Sequence, residues 1–341
     1  MIAQTADPAH LIILDTDPGI DDAMTFAFLK SRRDVRLLAV TSVFGNADVA
    51  TTTRNALYLL DRFGMDVPVH IGAATPLSIP RRPVASHVHG HDALGNTGLA
   101  LNFVGKAHPE AAHDAIVRLV RANPHRVTIL AIAPLTNLAL ALRAAPDIAD
   151  LVSDVVVMGG AFGYGARRGN VSPVAEANAA NDPHAADEVL GAAWPVTMVG
   201  LDVTSQCILP AQVAADLAER DDDARFLWDI SRAYERLYRD HDGLDGGCIH
   251  DVAAAIRMVE PGLFRTVSGP VRVVTEGFAA GQTILRPEGI PFPPGAWDGL
   301  PSQKACIKVD SAALLKIYQA AFTPKADVGG ALTASVIGAS S

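Results

Sequence analysis

Four carboxylates fall within eight residues near the start of the chain: Asp15, Asp17, Asp21 and Asp22. If they converged in a dry site they would repel, because each negative charge raises its neighbours' pKa and opposes their ionisation. A bound cation removes that conflict. Hard oxygen ligands of this kind suit Ca2+ or Mg2+, and calcium accepts more ligands in looser geometry. The competing reading is that some of these aspartates cap the helix expected to start near Ile20, where negative charge is favoured. An EF-hand is excluded. That loop needs Gly at its sixth position and Glu at its twelfth, and counting from Asp15 gives Ile20 and Phe26.

The aspartates follow LIIL at 11–14, one of five short apolar runs rich in β-formers. The others are VRLLAVTSV at 35–43, RVTILAI at 126–132, DVVVM at 154–158 and PVTMV at 195–199. Between them lie DDAMTFAFLKS, DVATTTRNALYLLDRF, EAAHDAIVRLVRA, PLTNLALALRAA and DPHAADEVLG, with apolar residues near helical spacing. This alternation predicts an α/β fold: a single large domain with an open, mostly parallel, doubly wound sheet and helices on both faces. Ligands of such sheets collect beyond the carboxyl ends of the strands. The polar residues there are Asp15 to Asp22 after the first run, Gly45 and Asn46 after the second, Thr136 and Asn137 after the 126–132 run, and Gly159-Gly160 after the 154–158 run.

The chain has 341 residues, with no internal repeat or charge run to divide it. The expected domain spans 1–325, and the small-residue segment 326–341 reads as a frayed tail. About half the residues are apolar and the formal net charge is −9, which argues against disorder and against a general affinity for nucleic-acid phosphates. A small-molecule partner is expected. The three cysteines, Cys207, Cys248 and Cys306, are too few and too scattered for a disulfide scaffold or a zinc site. The first residues lack a secretory pattern and no stretch has the roughly 20 apolar residues of a membrane span, so the expectation is a soluble, cytoplasmic protein without membrane contact.

The segment DTDPGIDDA at 15–23 resembles the N-terminal signature of the nucleoside hydrolases, in particular the inosine-uridine-preferring type. Further matches follow in order: VFGN ending at Asn46, HVHGHDALGN at 87–96, PLTNLA at 134–139, VVVMGGAF at 155–162, GNVSPVAEAN at 169–178, NDPHAA at 181–186, VTMVGLDVT at 196–204 and HDVAAA at 250–255. The resemblance covers roughly residues 11–260. It implies hydrolysis of the N-glycosidic bond of ribonucleosides, in nucleoside salvage, by a homodimer or homotetramer with one Ca2+ per chain.

Position by position, the resemblance implies that Asp17, Asp22, the backbone carbonyl of Thr136 and Asp251 hold the calcium. Asp17 would also be the general base toward a calcium-bound water. Asp21, Asn46, Asn170, Glu176 and Asn178 resemble the residues that grip the ribose hydroxyls, while His89 and His250 resemble those facing the base, with His250 counted beside Asp17 as a catalytic residue that either protonates the leaving base or contacts it. The chemistry agrees: loss of a nucleobase leaves an oxocarbenium-like sugar, which carboxylates and amide oxygens stabilise. A site built to pair ribose hydroxyls penalises a deoxyribonucleoside, whose missing group leaves buried polar atoms unsatisfied.

Other segments admit plainer readings. His87, His89 and His91 alternate as in a zinc-binding pair, but a loop precedes them and a substrate-facing loop is the preferred reading. His250 and Asp251 start an apolar helical pattern, so a helix N-terminus lowers the pKa of His250 and aims Asp251 at a cation. Glu176 and Asn178 sit in SPVAEANAAND at 172–182, which reads as a loop. GGAFGYG lacks the following helix of a phosphate loop. Tyr234 and Tyr238 have core-like helical spacing, His241 reads as a surface residue, and the Pro- and Gly-rich stretch 285–302 reads as a long loop. Beyond residue 260 the resemblance fades, which leaves base preference unassigned.

Two rival functions start from the same residues. A haloacid dehalogenase-type phosphatase also starts from an apolar strand running into Asp-x-Asp, but it expects Thr or Val after the second Asp and an apolar residue next, where Pro18 and Gly19 stand. A silent calcium- or nucleoside-binding protein on the same scaffold would not need every expected catalytic position filled, as it is here.

Overall fold

The computed structural model describes residues 9–322. The proposed tail and the boundary drawn at 325 lie outside them. The described strands are β1 (His10–Thr16), β2 (Val35–Ser42), β3 (Val69–Ile71), β4 (Val127–Ala131), β5 (Asp154–Met158) and β6 (Val196–Val199), then β7 (Ile208–Pro210), β8 (Gly246–Cys248), β9 (Phe264–Gly269), β10 (Val271–Val273), β11 (Thr283–Leu285) and β12 (Gln303–Val309). Eight of them form one sheet in the order β3-β2-β1-β4-β5-β6-β12-β9. All neighbours are parallel except β12 and β9.

Burial on both faces explains why the central strands read as continuous apolar runs rather than alternating ones. Successive residues feed opposite cores. Ile12 and Leu14 pack in one cluster and Ile13 in the other, and Val156 and Met158 oppose Val155 and Val157 in the same way. The first core is closed by the helices Ile20–Ser31, Val49–Arg62 and His250–Val259; the second by Ala112–Ala122, Thr136–Ala144 and Pro183–Gly191.

The chain proceeds outward from β1 through β2 to β3, then returns to place β4 on the other side of β1. Strand order therefore reverses between β1 and β4, and the crevice beyond their carboxyl ends is the expected ligand position. Asp15, the last residue but one of β1, pairs with Ala131 at the end of β4, which puts Asp17 and the 132–136 segment at that switch point.

Some local readings need correction. The stretch around Glu176 is not loop throughout: Ala177–Asn181 is a helix capped by the Glu176 side chain. Its five residues are too short to show a helical period. The segment around His89 contains a helical turn, Ser86–His89. β12 enters the sheet although its lysines interrupt the apolar run, because Lys304 is exposed while Ala305 and Cys306 are buried. No helix among the described residues is long and apolar enough to cross a membrane.

Candidate active site

Two helix N-termini and the end of β1 bring the carboxylates together. Asp21 and Asp22 lie in the first turn of Ile20–Ser31, and Asp251 in the first turn of His250–Val259. One oxygen from each of these three falls within 4.8 Å of the others. Asp22 is also the reciprocal cap of its helix: its Oδ2 accepts from the Gly19 N–H at 2.8 Å and its Oδ1 from the Thr16 hydroxyl. The capping and cation readings of this cluster are thus compatible in one side chain.

Asp17 lies alongside, held through Asn46. Its Oδ2 accepts from the Asn46 backbone N–H at 2.6 Å, while the Asn46 amide donates to the Asp17 carbonyl and to Asp22 Oδ2, each at 3.2 Å. A Cβ on Gly45 would lie 1.8 Å from Asp17 Oδ2, so the close approach requires glycine. The other carboxylate oxygen, Asp17 Oδ1, is buried and has no hydrogen-bond partner.

Burial and mutual repulsion push these groups toward neutrality. The carboxyls of Asp17, Asp22 and Asp251 sit above the usual range, burial first and, for Asp17 and Asp251, neighbouring aspartates second. Asp21 is pushed up to about 8 by the same causes. An unpaired buried carboxylate oxygen beside three further carboxylates is the donor set of a hard divalent cation, which would reverse every one of these shifts. The residues present fit such an ion.

Thr136 opens its helix with its hydroxyl donating to Asp182 Oδ2 at 2.7 Å. Asp182 is fully buried and also accepts from the Leu77 and Ala185 N–H groups at 2.9 and 3.1 Å. It locks the segment that would present the Thr136 carbonyl. Sequence reasoning missed this residue, although Asp before Pro183 is a helix-capping signal.

A cavity of about 700 Å³ opens above this cluster, lined by Asp21, Asn46, His89, Asn170, Glu176, Asn178, His250 and Asp251 among others. The other three expected residues, Asp17, Asp22 and Thr136, are buried and outside that lining. Glu176 is fixed by N–H donors from Gly160, Asn178 and Ala179 at 2.9, 2.8 and 3.1 Å. The Asn178 amide donates to the carbonyls of Ile132 and Met158 at 3.2 and 3.1 Å, tying it to the ends of β4 and β5. Asn170 accepts from the Ala177 N–H at 2.9 Å.

The remaining wall is aromatic. His89 Nδ1 accepts from the Ile20 N–H at 3.2 Å, and its ring lies 5.6 Å from that of Tyr234. His250 is held at both nitrogens, by Tyr238 Oη and Thr204 Oγ1, each at 2.7 Å. Burial, the main cause, lowers His89 to about 3 and His250 to about 4, so both rings are neutral at pH 7. Tyr234 is buried, as its spacing suggested, yet Tyr234, Tyr238 and His241 all line the cavity. His241 is therefore not only a surface residue.

The surroundings of two other segments favour neither zinc nor phosphate. Only His89 of the three alternating histidines is buried, and no potential metal group among the described residues contains His87 or His91. The GGAFGYG segment gives its Phe162, Tyr164 and Gly165 N–H groups to the buried carboxylate of Asp202 at 2.7, 2.6 and 3.0 Å. An internal anion thus fills the place a phosphate would need.

The model of the family described as inosine-uridine preferring nucleoside hydrolase matches residues 12–316. Among relatives, a probable uridine nucleosidase 1 from Oryza sativa subsp. japonica is 40% identical over 276 residues, 80% of this chain and 84% of that protein. An inosine-uridine preferring nucleoside hydrolase from Crithidia fasciculata is 35% identical over 277 residues, 80% of this chain and 86% of the other. Among solved structures, a plant nucleoside hydrolase superposes with a TM-score of 0.88 at 33% identity, over 93% of this chain and all of that one. Fold and site define a glycosyl hydrolase built on a doubly wound sheet. The chain belongs to the inosine-uridine-preferring nucleoside hydrolase family and is an N-glycosyl hydrolase of ribonucleosides.

Proposed function

We propose that the chain cleaves ribonucleosides with a calcium ion held by Asp17, Asp22, the Thr136 carbonyl and Asp251, and with Asp17 as general base. The observation that carries this reading is Asp17 Oδ1, buried and unpartnered; Asp17 lies outside the tight group of Asp21, Asp22 and Asp251 but within electrostatic reach of all three. Calcium bound there neutralises the cluster and makes a neighbouring water more acidic. Asp17 accepts the proton of the water that attacks C1′ of the ribose, a contribution of about 10²–10⁴-fold. The electron pair of the C1′–N bond leaves with the base.

Asp21 groups with the ion ligands but also lines the cavity, whereas Asp22 does not. Asp21, like Asp251, can therefore reach the cavity, and Asp22 is left to the ion alone. Asn46, Asn170, Glu176 and Asn178 complete the ribose side, and their backbone bonds hold them ready before substrate arrives. Glu176 and Asp21 stabilise the positive charge that develops on the sugar. His89 and His250 face the base. The three cysteines are buried and free, which supports a reducing, cytoplasmic setting. The active form is proposed to be a homodimer or homotetramer.

The test is release of ribose from inosine, uridine, cytidine and adenosine, with and without chelator. Chelation is expected to abolish turnover and calcium to restore it. An enzyme indifferent to prolonged chelation overturns the metal assignment.

A further inference from the structure

The aromatic side of the cavity carries an Arg–carboxylate ion pair, Arg167 with Asp242, and both residues line the cavity. The two come from separate elements. Arg167 lies in the segment after β5, three of whose N–H groups are anchored on buried Asp202. A Cβ on Gly165 would lie 2.7 Å from the Asp202 backbone, so this anchoring is close. Asp242 ends the helix Arg232–Asp242, and the next residue, Gly243, takes the left-handed cap at φ 65°.

An acidic residue at a helix C-terminus runs against the helix dipole, which favours cations there. A local preference broken at a cavity wall is a sign of function. The pair shares the cavity lining with Tyr238 and His250, on the side where the base is expected. Its side chains are 39% and 19% exposed, so the pair is accessible from the cavity without being fully solvated.

We propose that Arg167, positioned by Asp242, binds the carbonyl edge of a keto nucleobase and stabilises the negative charge that the base takes on as the C1′–N bond breaks. The inference rests on the nucleoside hydrolase reading of the site. When the bond breaks its electron pair goes to the base nitrogen; water adds its oxygen to C1′, and the proton it loses ends on the departed base. Until that proton arrives the charge of a uracil or hypoxanthine is delocalised onto its carbonyl oxygens. A guanidinium is always protonated and has five N–H groups, more than one carboxylate takes up, so it can hold Asp242 and a base oxygen together. An amino base presents an NH2 where a keto base presents oxygen, and donor then meets donor.

The test compares leaving groups on one ribose. For Arg167→Met, kcat/KM with uridine and inosine is expected to fall between about ten- and a hundredfold, the worth of a hydrogen bond to a charged group. Adenosine falls less, so the inosine-to-adenosine ratio drops about tenfold. 4-Nitrophenyl β-D-ribofuranoside, whose leaving group needs no assistance, changes by less than about threefold. Arg167→Lys restores only part of the loss, since an ammonium lacks the planar fork. An equal fall with inosine and the nitrophenyl riboside, or no fall with any substrate, overturns the proposal. If Arg167→Met fails to fold, Asp242→Asn is judged by the same split. A wild-type enzyme that cleaves none of these ribosides defeats the hydrolase reading instead.

Discussion

The floor and the aromatic wall of the cavity obey opposite electrostatic rules. In the floor, Asp17, Asp21, Asp22 and Asp251 are crowded until burial and repulsion oppose their charge. In the wall, His89 and His250 are stripped of charge by burial, yet His89 accepts a backbone hydrogen bond and His250 is held at both nitrogens. The floor therefore calls for something from outside the chain, and the wall is complete without it. The floor is suited to an ion and to activating water; the wall is suited to packing a flat ring.

This contrast predicts the largest effect for a neutral isostere in the floor. Asp17→Asn keeps volume and the Asn46 hydrogen bond but removes the base, so kcat should fall about 10²–10⁴-fold while the circular dichroism spectrum is unchanged. Turnover near the wild-type rate would take the base role away from Asp17. Next in size is Asp182→Ala, which touches no substrate but frees the Thr136 hydroxyl. Losing an outer partner of a metal ligand costs about 10–100-fold in metal affinity. The calcium concentration giving half-maximal activity should rise accordingly, with kcat at saturating calcium nearly preserved. An unchanged calcium requirement would detach Thr136 from the ion.

A smaller effect is expected in the wall. Tyr238→Phe removes the hydrogen bond to His250 and a longer one, 3.3 Å, shared with the Tyr234 hydroxyl, and keeps the ring edge-on to that of Tyr234, whose centroid lies 4.9 Å away. A loss of about tenfold or less in kcat/KM for natural nucleosides follows from the worth of such a bond. A loss comparable with that of Asp17→Asn would make the wall an equal partner in the chemistry and erase the contrast.

The two regions also differed in how readable they were. The floor is written locally: β1 is an unbroken apolar run, the aspartates follow at once, and the helices carrying Asp21, Asp22 and Asp251 begin where their apolar periods begin. β2, β4, β5 and β6 were legible for the same reason. The wall depends on long-range meetings, Tyr238 with His250, Thr204 with His250 and His89 with Ile20, none of which leaves a periodic trace. The supports were silent too. Asp202 follows β6 inside a segment whose resemblance was noted, yet its task of gathering the 162–165 backbone appears only in three dimensions. Nothing in the sequence sets Arg167 or Asp242 apart from the polar residues around them. Short elements such as β3 and Ala177–Asn181 lack the length for a pattern to emerge.

The smallest effect sharpens the contrast through stability. Asp15 is pushed up to about 7 by burial and Asp21 to about 8 by burial and the Asp22 charge. A carboxyl whose pKa is higher folded than unfolded binds more protons in the folded state, so its contribution to stability is present at low pH and is lost as pH rises. For the ion-free protein, stability should therefore decline from about pH 4 to about pH 8, the interval between the ordinary carboxyl value of 3.8 and the raised one of Asp21. Calcium, which favours the ionised forms, should add least near pH 5 and most near pH 8. Thermal melting in chelator against calcium should show a gap that widens with pH by a few degrees, each ~1 kcal/mol moving a chain of this size by about 2–4 °C or less. The wall predicts no such gap, because its histidines are neutral across the whole interval above about pH 5. A calcium effect that is constant with pH would mean the floor is not where the ion binds.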